Sequence, residues 1–359
     1  MSIHFHSLRV KEIKKETDDC VSVTFDIPEN LQQDFIFKQG QSLSMRTHIN
    51  KEEVRRTYSL CSSPLDKEWK VAIKKVDGGL FSSFANGELK KGDTLEVMEP
   101  VGKFYVELNP ANSKNYLGFA AGSGITPLLS IIKTTLRTEH NSSFTLVYGN
   151  KSRNSIIFFE ELEGLKNKYL QRFNYINILS RERTDAAINF GRIDAAKLTE
   201  LSKLFDYTSF DETFICGPEE MIFLIKVFLE QKGIDKKKIH FELFTTPGQK
   251  QSVVRSREPG ADSGPASKIT VKLDGRAFDF DLSLASDTTI LDAALNQGAD
   301  LPFACKGGVC CTCKARLLEG EVSMDVHWGL EEEEIKAGYI LACQSHPITE
   351  KVVVDFDVK

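Results

Sequence analysis

Hydrophobic positions change their rhythm twice along the chain. From Tyr116 to Phe244 short apolar runs alternate with helical patterns: LGFAAG precedes PLLSIIKTTL, FTLVYGN precedes IIFFEELEGLKNKYL, YINILS precedes AAKLTELSKLF, TFICG precedes PEEMIFLIKVFLEQKG, and IHFELF closes the series. Strand-like runs separated by helices predict a doubly wound parallel sheet, an α/β domain. Before it, Met1 to Leu108 lacks long helical periodicity and offers short strand candidates such as VSVTFDI, SLSMRT, WKVAIKKV and TLEVMEP. That pattern predicts an antiparallel β-barrel or sandwich. Near the C-terminus, KITVKLDGRAFDFDL reads as a hairpin turning at Asp274-Gly275, TTILDAALNQG as a short helix and KVVVDFDV as a closing strand, together a small α+β module. Between the second and third regions, TPGQKQSVVRSREPGADSGPAS (246–267) is rich in Pro, Gly and Ser and has no apolar period, so it reads as a flexible linker with a reach of roughly 25 Å. The multidomain division is therefore 1–110, 111–245, linker 246–267 and 268–359.

Composition narrows the class. A chain of 359 residues has room for two or three domains, and 41% hydrophobic with 27% charged residues is ordinary globular content, which excludes collagenous or disordered chains. Met1 to Lys15 has no apolar core of a secretory signal, so a cytoplasmic protein with reduced thiols is expected. The longest charge-free stretch, Asn115 to Ile132, is interrupted by Gly118, Gly122, Gly124 and Pro127, so no membrane association is expected. The net charge of −5 is uneven: Lys268 to Lys359 carries nine Lys/Arg against sixteen Asp/Glu. An acidic end on a near-neutral body argues against nucleic acid and for a protein partner with basic docking residues.

Eight cysteines are too few for a disulfide scaffold, yet four fall between Cys305 and Cys313. Cys305, Cys310 and Cys313 are spaced C-x4-C-x2-C, with Cys343 downstream. This is the plant-type spacing for a [2Fe–2S] cluster, in which four thiolates hold two irons. Gly307 and Gly308 let the loop curl and aim amides at sulfur. Zinc is the competing ligand, but its sites favour two close C-x2-C pairs over a triple with a distant single. Cys311 is the odd thiol.

Arg56-Thr57-Tyr58-Ser59 is followed in order by Ile73-Lys74-Lys75-Val76, Gly79-Leu80-Phe81-Ser82 and Pro100-Val101-Gly102-Lys103-Phe104. Ala120-Ala121-Gly122-Ser123-Gly124-Ile125-Thr126-Pro127 joins a strand to a helix, with Pro127 where a dinucleotide fingerprint would have its third glycine. Phe214-Ile215-Cys216-Gly217-Pro218-Glu219-Glu220-Met221 does the same further on. In this order the motifs resemble those of the ferredoxin–NADP reductase superfamily, with a plant-type ferredoxin domain at the C-terminal end. Among oxygenase reductases, the order of domains and the wording GG-x-FSSFAN, LEVMEPVGKF and SRE resemble the group serving phenylacetyl-CoA epoxidase and its relatives.

The resemblance implies a flavin barrel in 1–110, an NADP domain in 111–245 and a β-grasp ferredoxin in 268–359. It implies FAD bound by Arg56, Tyr58, Ser59, Gly79 and the amides of Phe81 and Ser82, with NADPH on Gly122, Gly124, Thr126, Cys216 and Gly217. Ser180 and Arg181 suit a 2′-phosphate, which needs hydroxyl and guanidinium donors. Ser59, Thr126, Cys216 and Glu242 become positioning residues at the hydride-transfer site, and Cys305, Cys310, Cys313 and Cys343 the iron ligands. The implied activity is NADPH-dependent electron transfer through FAD and [2Fe–2S] to a di-iron oxygenase partner. The alternatives are a reductase for another oxygenase, hydroxylase or desaturase, and a redox-sensing module without turnover.

Overall fold

In the computed structural model, which describes residues 4–244 and 265–358, the first lobe is an antiparallel sheet of six strands. These are β1 (Phe5–Thr17), β2 (Cys20–Asp26), β3 (Ser42–Ile49), β4 (Glu52–Ser59), β5 (Trp69–Lys74) and β6 (Thr94–Met98), in the order β4-β3-β6-β1-β2-β5. A bridge between Leu60 and Val71 joins the two edges, so the sheet closes as a barrel. Along β2, Val21, Val23 and Phe25 face the barrel core, while Cys20, one step out of phase, enters a second core. Helix α1 (Leu80–Gly87) adds Phe81 and Ala85 to the barrel core.

The second lobe alternates β7 (Asn115–Ala121), α2 (Ile125–Thr138), β8 (Ser143–Asn150), α3 (Phe159–Lys168), β9 (Phe173–Leu179), α4 (Ala195–Leu201), β10 (Glu212–Gly217), α5 (Glu219–Gln231) and β11 (Ile239–Leu243). All five strands are parallel, in the order β11-β10-β7-β8-β9. The order reverses between β7 and β10, and the crevice at the carboxyl ends of such strands is where open α/β sheets take ligands. The helical pattern beginning at Ile156 yields a helix only from Phe159, because Phe158 is buried in the left-handed region at φ 62°. Cys20, Cys61, Ala72 and Phe104 of the barrel pack with Tyr116, Leu128, Phe144 and Phe214 of the parallel sheet, and Phe5–Phe244 forms one compact unit.

The C-terminal unit contains β12 (Ala266–Leu273), β13 (Arg276–Ser283), α6 (Ile290–Asn296), β14 (Lys314–Glu319), β15 (Val322–Met324), α7 (Glu332–Lys336), β16 (Tyr339–Leu341), β17 (Ser345–Pro347) and β18 (Lys351–Asp355). Its main sheet runs β13-β12-β18-β14-β16, with β12 and β18 parallel and α6 packing Ile290, Leu291 and Ala294 into the core, a β-grasp arrangement. Asp274 and Gly275 turn the β12–β13 hairpin with both φ angles positive, at 51° and 69°, as a tight primed turn requires. The expected linker 246–267 needs a correction at its end: Ala266 and Ser267 already pair with Ser283 and Leu282, and Ser267 is buried. Most of that segment lies outside the described residues. No helix among the described residues is long and apolar enough to cross a membrane.

Candidate functional site: a flavin face, a nucleotide crevice and a thiol loop

Strand β4 alternates Arg56 and Tyr58 on one side with Thr57 and Ser59 on the other. Tyr58 is half-buried, and Phe81 lies behind it with ring centroids 5.6 Å apart. Arg56 is half-buried, donates to the Arg55 carbonyl at 2.6 Å, and has its pKa lowered by burial. Gly79 is the N-cap of α1, and a Cβ there would stand 2.5 Å from Ser82 Oγ. That hydroxyl is already engaged, accepting from the Val76 amide at 3.1 Å. The first helical turn, at Leu80, Phe81 and Ser82, has no intrahelical acceptor for its amides, which is the usual setting for an anion. Ser82 therefore offers its backbone here and not its side chain.

The crevice between β7 and β10 is lined by two glycine-bearing turns. A short 3-10 turn, Gly122–Gly124, leads into α2, and Gly122 takes φ 54°. A Cβ on Gly124 would run into the Cys216 carbonyl, and one on Gly217 would lie 2.6 Å from Met221 Cε and 3.2 Å from Ala121 Cβ. Only glycine at both places lets the turns approach. Thr126 is buried, and its hydroxyl donates to Ser123 O at 2.9 Å, so it braces the turn.

Four sequence-distant positions meet at the carboxyl end of this sheet. Cys216 on β10 is in register with Ala120 on β7 and Glu242 on β11. Ser59, at the end of β4, donates to Glu242 Oε2 at 2.9 Å across the lobe boundary. Burial lifts the Glu242 carboxyl to about 7, against the opposing pull of the Ser59 hydrogen bond. Cys216 is fully buried, and burial with the nearby Glu242 charge pushes its thiol well above the ordinary range. It is thus a filler and a backbone spacer, not a nucleophile.

Ser180 and Arg181 follow β9 beside the turn after β8. Ser180 donates from N to Asn150 O at 2.9 Å and from Oγ to the same oxygen at 3.3 Å, and Arg181 N donates to Lys151 O at 2.8 Å. Glu182 is occupied, accepting from the Arg153 amide at 2.8 Å, and Arg183 lies 5.6 Å from the centre of the Phe190 ring. Arg181 is exposed.

In the C-terminal unit the four ligand candidates approach in two pairs. Cys305 Sγ accepts from the amides of Gly307 at 3.3 Å and Cys310 at 3.5 Å, and Cys310 Sγ donates to Thr312 Oγ1 at 3.2 Å. The titration of Cys305 is tied to that of Cys310 and the titration of Cys313 to that of Cys343, with the charge of Cys310 felt at Cys313. The Cys310 thiol and the amides of Cys310, Gly307 and Val309 draw Cys305 down to about 6, whereas Cys305 raises Cys310 and Cys343 raises Cys313. No three His, Cys, Asp or Glu side chains among the described residues converge on a point that could hold one metal ion. Two thiol pairs fit two irons better than one zinc. The loop is wound by Lys306, Gly308 and Cys311, all with positive φ (51°, 73° and 57°), and a Cβ on Gly308 would lie 2.6 Å from Val326 Cγ2. The cysteine donor set and this tight loop suit the cluster.

Family models agree with these three regions: an oxidoreductase FAD-binding domain over residues 7–105, an oxidoreductase NAD-binding domain over 119–226, and a 2Fe-2S iron-sulfur cluster binding domain over 272–347. The chain is 47% identical to a subunit of the 1,2-phenylacetyl-CoA epoxidase of Escherichia coli, over 99% of its own length and 98% of that protein. The chain belongs to the ferredoxin–NADP reductase-like flavoproteins with a [2Fe–2S] domain. The reductase is also 34% identical to the ferredoxin reductase component of 3-ketosteroid-9-alpha-monooxygenase from Rhodococcus rhodochrous, over 97% of this chain and 96% of that one. Among solved structures, phthalate dioxygenase reductase matches with TM-score 0.58 at 22% identity over 98% of both chains, a likeness of fold. The reductase is therefore an NAD(P)H-dependent oxidoreductase whose cofactors are FAD and a [2Fe–2S] cluster.

Some residues at the reductase's site carry no motif of their own. Tyr148 donates to Gly122 O at 2.8 Å, and Lys74 brings Nζ within 3.8 Å of the place a Gly122 Cβ would occupy. Lys74 lies within the Ile73–Val76 landmark, which was a signal of sorts. Tyr148 gave none, because nothing in a buried strand marks one tyrosine for a loop carbonyl.

Proposed function

We propose that the reductase takes electrons from NADPH and passes them, through FAD and the [2Fe–2S] cluster, to the oxygenase component of a phenylacetyl-CoA epoxidase. The observation that carries this is the 47% identity to the Escherichia coli epoxidase subunit along both chains. When bound, the flavin supplies the exchange between a two-electron donor and a one-electron acceptor.

The chain's own residues prepare that exchange. Arg56 offers a guanidinium fork to phosphate, and the first-turn amides of α1 at Phe81 and Ser82 receive pyrophosphate beside Gly79. Tyr58, backed by Phe81, presents a flat aromatic face to the ring system. Gly122, Gly124 and Gly217 keep the crevice open for the nicotinamide, with Thr126 bracing the turn and Cys216 spacing it from β10. Ser59 and Glu242 close the inner end of the site, and the Glu242 carboxyl exchanges a proton near neutral pH while its Oε2 accepts from Ser59. Ser180 and Arg181 receive the 2′-phosphate and so select NADPH. Cys305 with Cys310, and Cys313 with Cys343, hold the irons.

An anaerobic NADPH titration followed by visible and EPR spectroscopy tests the proposal. The expected result is flavin bleaching together with a rhombic [2Fe–2S] signal, at lower nucleotide concentration with NADPH than with NADH. Flavin bleaching with no cluster signal would break the path. A second reading, service to another oxygenase, draws on the 34% identity to the 3-ketosteroid-9-alpha-monooxygenase reductase. Turnover with a phenylacetyl-CoA epoxidase oxygenase and none with a ketosteroid oxygenase separates the two.

A further inference from the structure

Helix α2 carries the Gly122–Pro127 turn at its N-terminal end and faces the barrel lobe along its length. Beside the apolar residues that pack against the barrel, such as Leu128 and Ile131, that helix carries a polar stripe. Ser130 Oγ donates to Ser62 O at 2.6 Å, and Ser63 Oγ and Thr134 Oγ1 share a buried hydrogen bond at 2.9 Å. One turn further round, Lys133 Nζ lies 2.8 Å from Asp66 Oδ2, and Arg137 donates to Asp66 Oδ1 and at 3.2 Å to Leu65 O. Lys133 is also 2.8 Å from Glu161 on α3. Asp66 is fixed in turn, since its Oδ2 accepts from the Ser63 amide at 3.0 Å in a capping box.

Ser130, Lys133, Thr134 and Arg137 recur at helical spacing, so they form one stripe of α2. Their partners, Ser62, Ser63, Leu65 and Asp66, lie in the segment directly after Ser59. The flavin-side residue Ser59 and the nucleotide turn are thus the two ends of one short mechanical circuit: Ser59 to Asp66 by chain, Asp66 to α2 by ion pairs, and α2 to Gly124 by helix. Apolar packing of Cys61 and Phe104 in one cluster with Leu128 and Ile131 also holds the lobes together, but such packing is non-directional. Directional bonds from one carboxylate to two cations four residues apart on α2 fix the angle of the lobes.

We propose that Asp66 is a positioning residue for hydride transfer, setting the nucleotide turn of α2 against the flavin face of β4 through Lys133 and Arg137. This inference rests on the nucleotide-to-flavin path stated above. A misplacement of about 1 Å of the reacting partners costs on the order of a hundredfold in rate, so loss of the tether is expected to slow flavin reduction by about tenfold to a hundredfold.

The test uses the full-length holoprotein under anaerobic stopped flow, with whichever of NADPH or NADH reduces the wild type. Asp66→Ala is expected to retain FAD, bind the nucleotide within about twofold of wild type, reduce its flavin about tenfold to a hundredfold more slowly, and lose the long-wavelength charge-transfer absorbance of the complex. Asp66→Glu is expected to recover that absorbance in part. If Asp66→Ala does not retain FAD, Lys133→Met/Arg137→Met removes the same tether from the helix side and is expected to give the same loss. Wild-type rate and intact absorbance in either tether variant overturns the inference. A wild type reduced by neither nucleotide overturns the functional reading and this inference with it.

Discussion

The carboxyl of Glu242 offers a quantitative check on the inner end of the site. Burial lifts it from the ordinary 4.5 to about 7 in spite of the hydrogen bond from Ser59. The folded chain therefore binds a proton at Glu242 more tightly than the unfolded chain does. For a group with a raised folded pKa, the stabilisation is complete below the unfolded value and is lost as pH rises through the folded one. Each tenfold gain in proton affinity is worth about 1.4 kcal/mol, so the ceiling is about 3 kcal/mol, and most of it disappears between about pH 5 and pH 8. Glutamine does not titrate and keeps the shape, so Glu242→Gln should lack that slope. The measurement is the urea stability of flavin-free protein across this range, in a Trp328→Phe background that leaves Trp69 of the barrel as the sole tryptophan. Wild type is expected to lose roughly 2 to 3 kcal/mol relative to Glu242→Gln between about pH 5 and pH 8. A gap between the two proteins that stays constant with pH refutes a half-buried carboxyl titrating near neutrality.

Other predictions address the remaining parts of the path. Cys310→Ser is expected to abolish cytochrome c reduction while NADPH-to-ferricyanide activity stays within about twofold of wild type, since the flavin alone can serve ferricyanide; equal loss of both in FAD-replete protein contradicts the division of labour. Gly124→Ala sets a Cβ against the Cys216 carbonyl and is expected to cost about 1 to 3 kcal/mol and weaken nucleotide binding; an unchanged melting temperature would mean that the two turns are not packed as described. Arg181→Ala is expected to raise KM for NADPH by about tenfold and leave NADH unaffected, the signature of a lost charge-assisted bond to a phosphate; equal effects on both nucleotides remove Arg181 from the 2′-phosphate site.

Much of this arrangement is legible in the order of residues because it is local. The five parallel strands match the predicted runs to within two residues at either end, four of them starting one or two residues earlier, since buried strands are short apolar stretches that turn residues delimit. The cysteine spacing and the glycine-bearing turns are local as well. What could not be read is long-range or conformational. Strand β4 is Glu- and Arg-rich and becomes a strand through pairing with β3 along its whole length. Phe158 delays the start of α3 by adopting a left-handed conformation that its residue type does not announce. The Ser59–Glu242 bond joins residues 183 positions apart, and the Asp66 tether spans from a turn to a helix in another lobe. Each is built from common polar residues that would otherwise be taken for solvated ones.

The pairing of the thiols bears on how the cluster site comes into being. Cys305 and Cys310 sit on one tight loop, but Cys313 and Cys343 are joined by about six times as much chain, and closing it from a free coil would cost about 1.6 kcal/mol more. The sheet meets that cost: β14 begins next to Cys313, β16 ends just before Cys343, and Lys314 pairs with Leu341 between them. The second pair is thus assembled by sheet formation and the first by loop winding. A lesion in β16 should consequently leave a chain able to capture iron at one half of the site only, a defect of cofactor maturation arising in a strand that supplies no ligand.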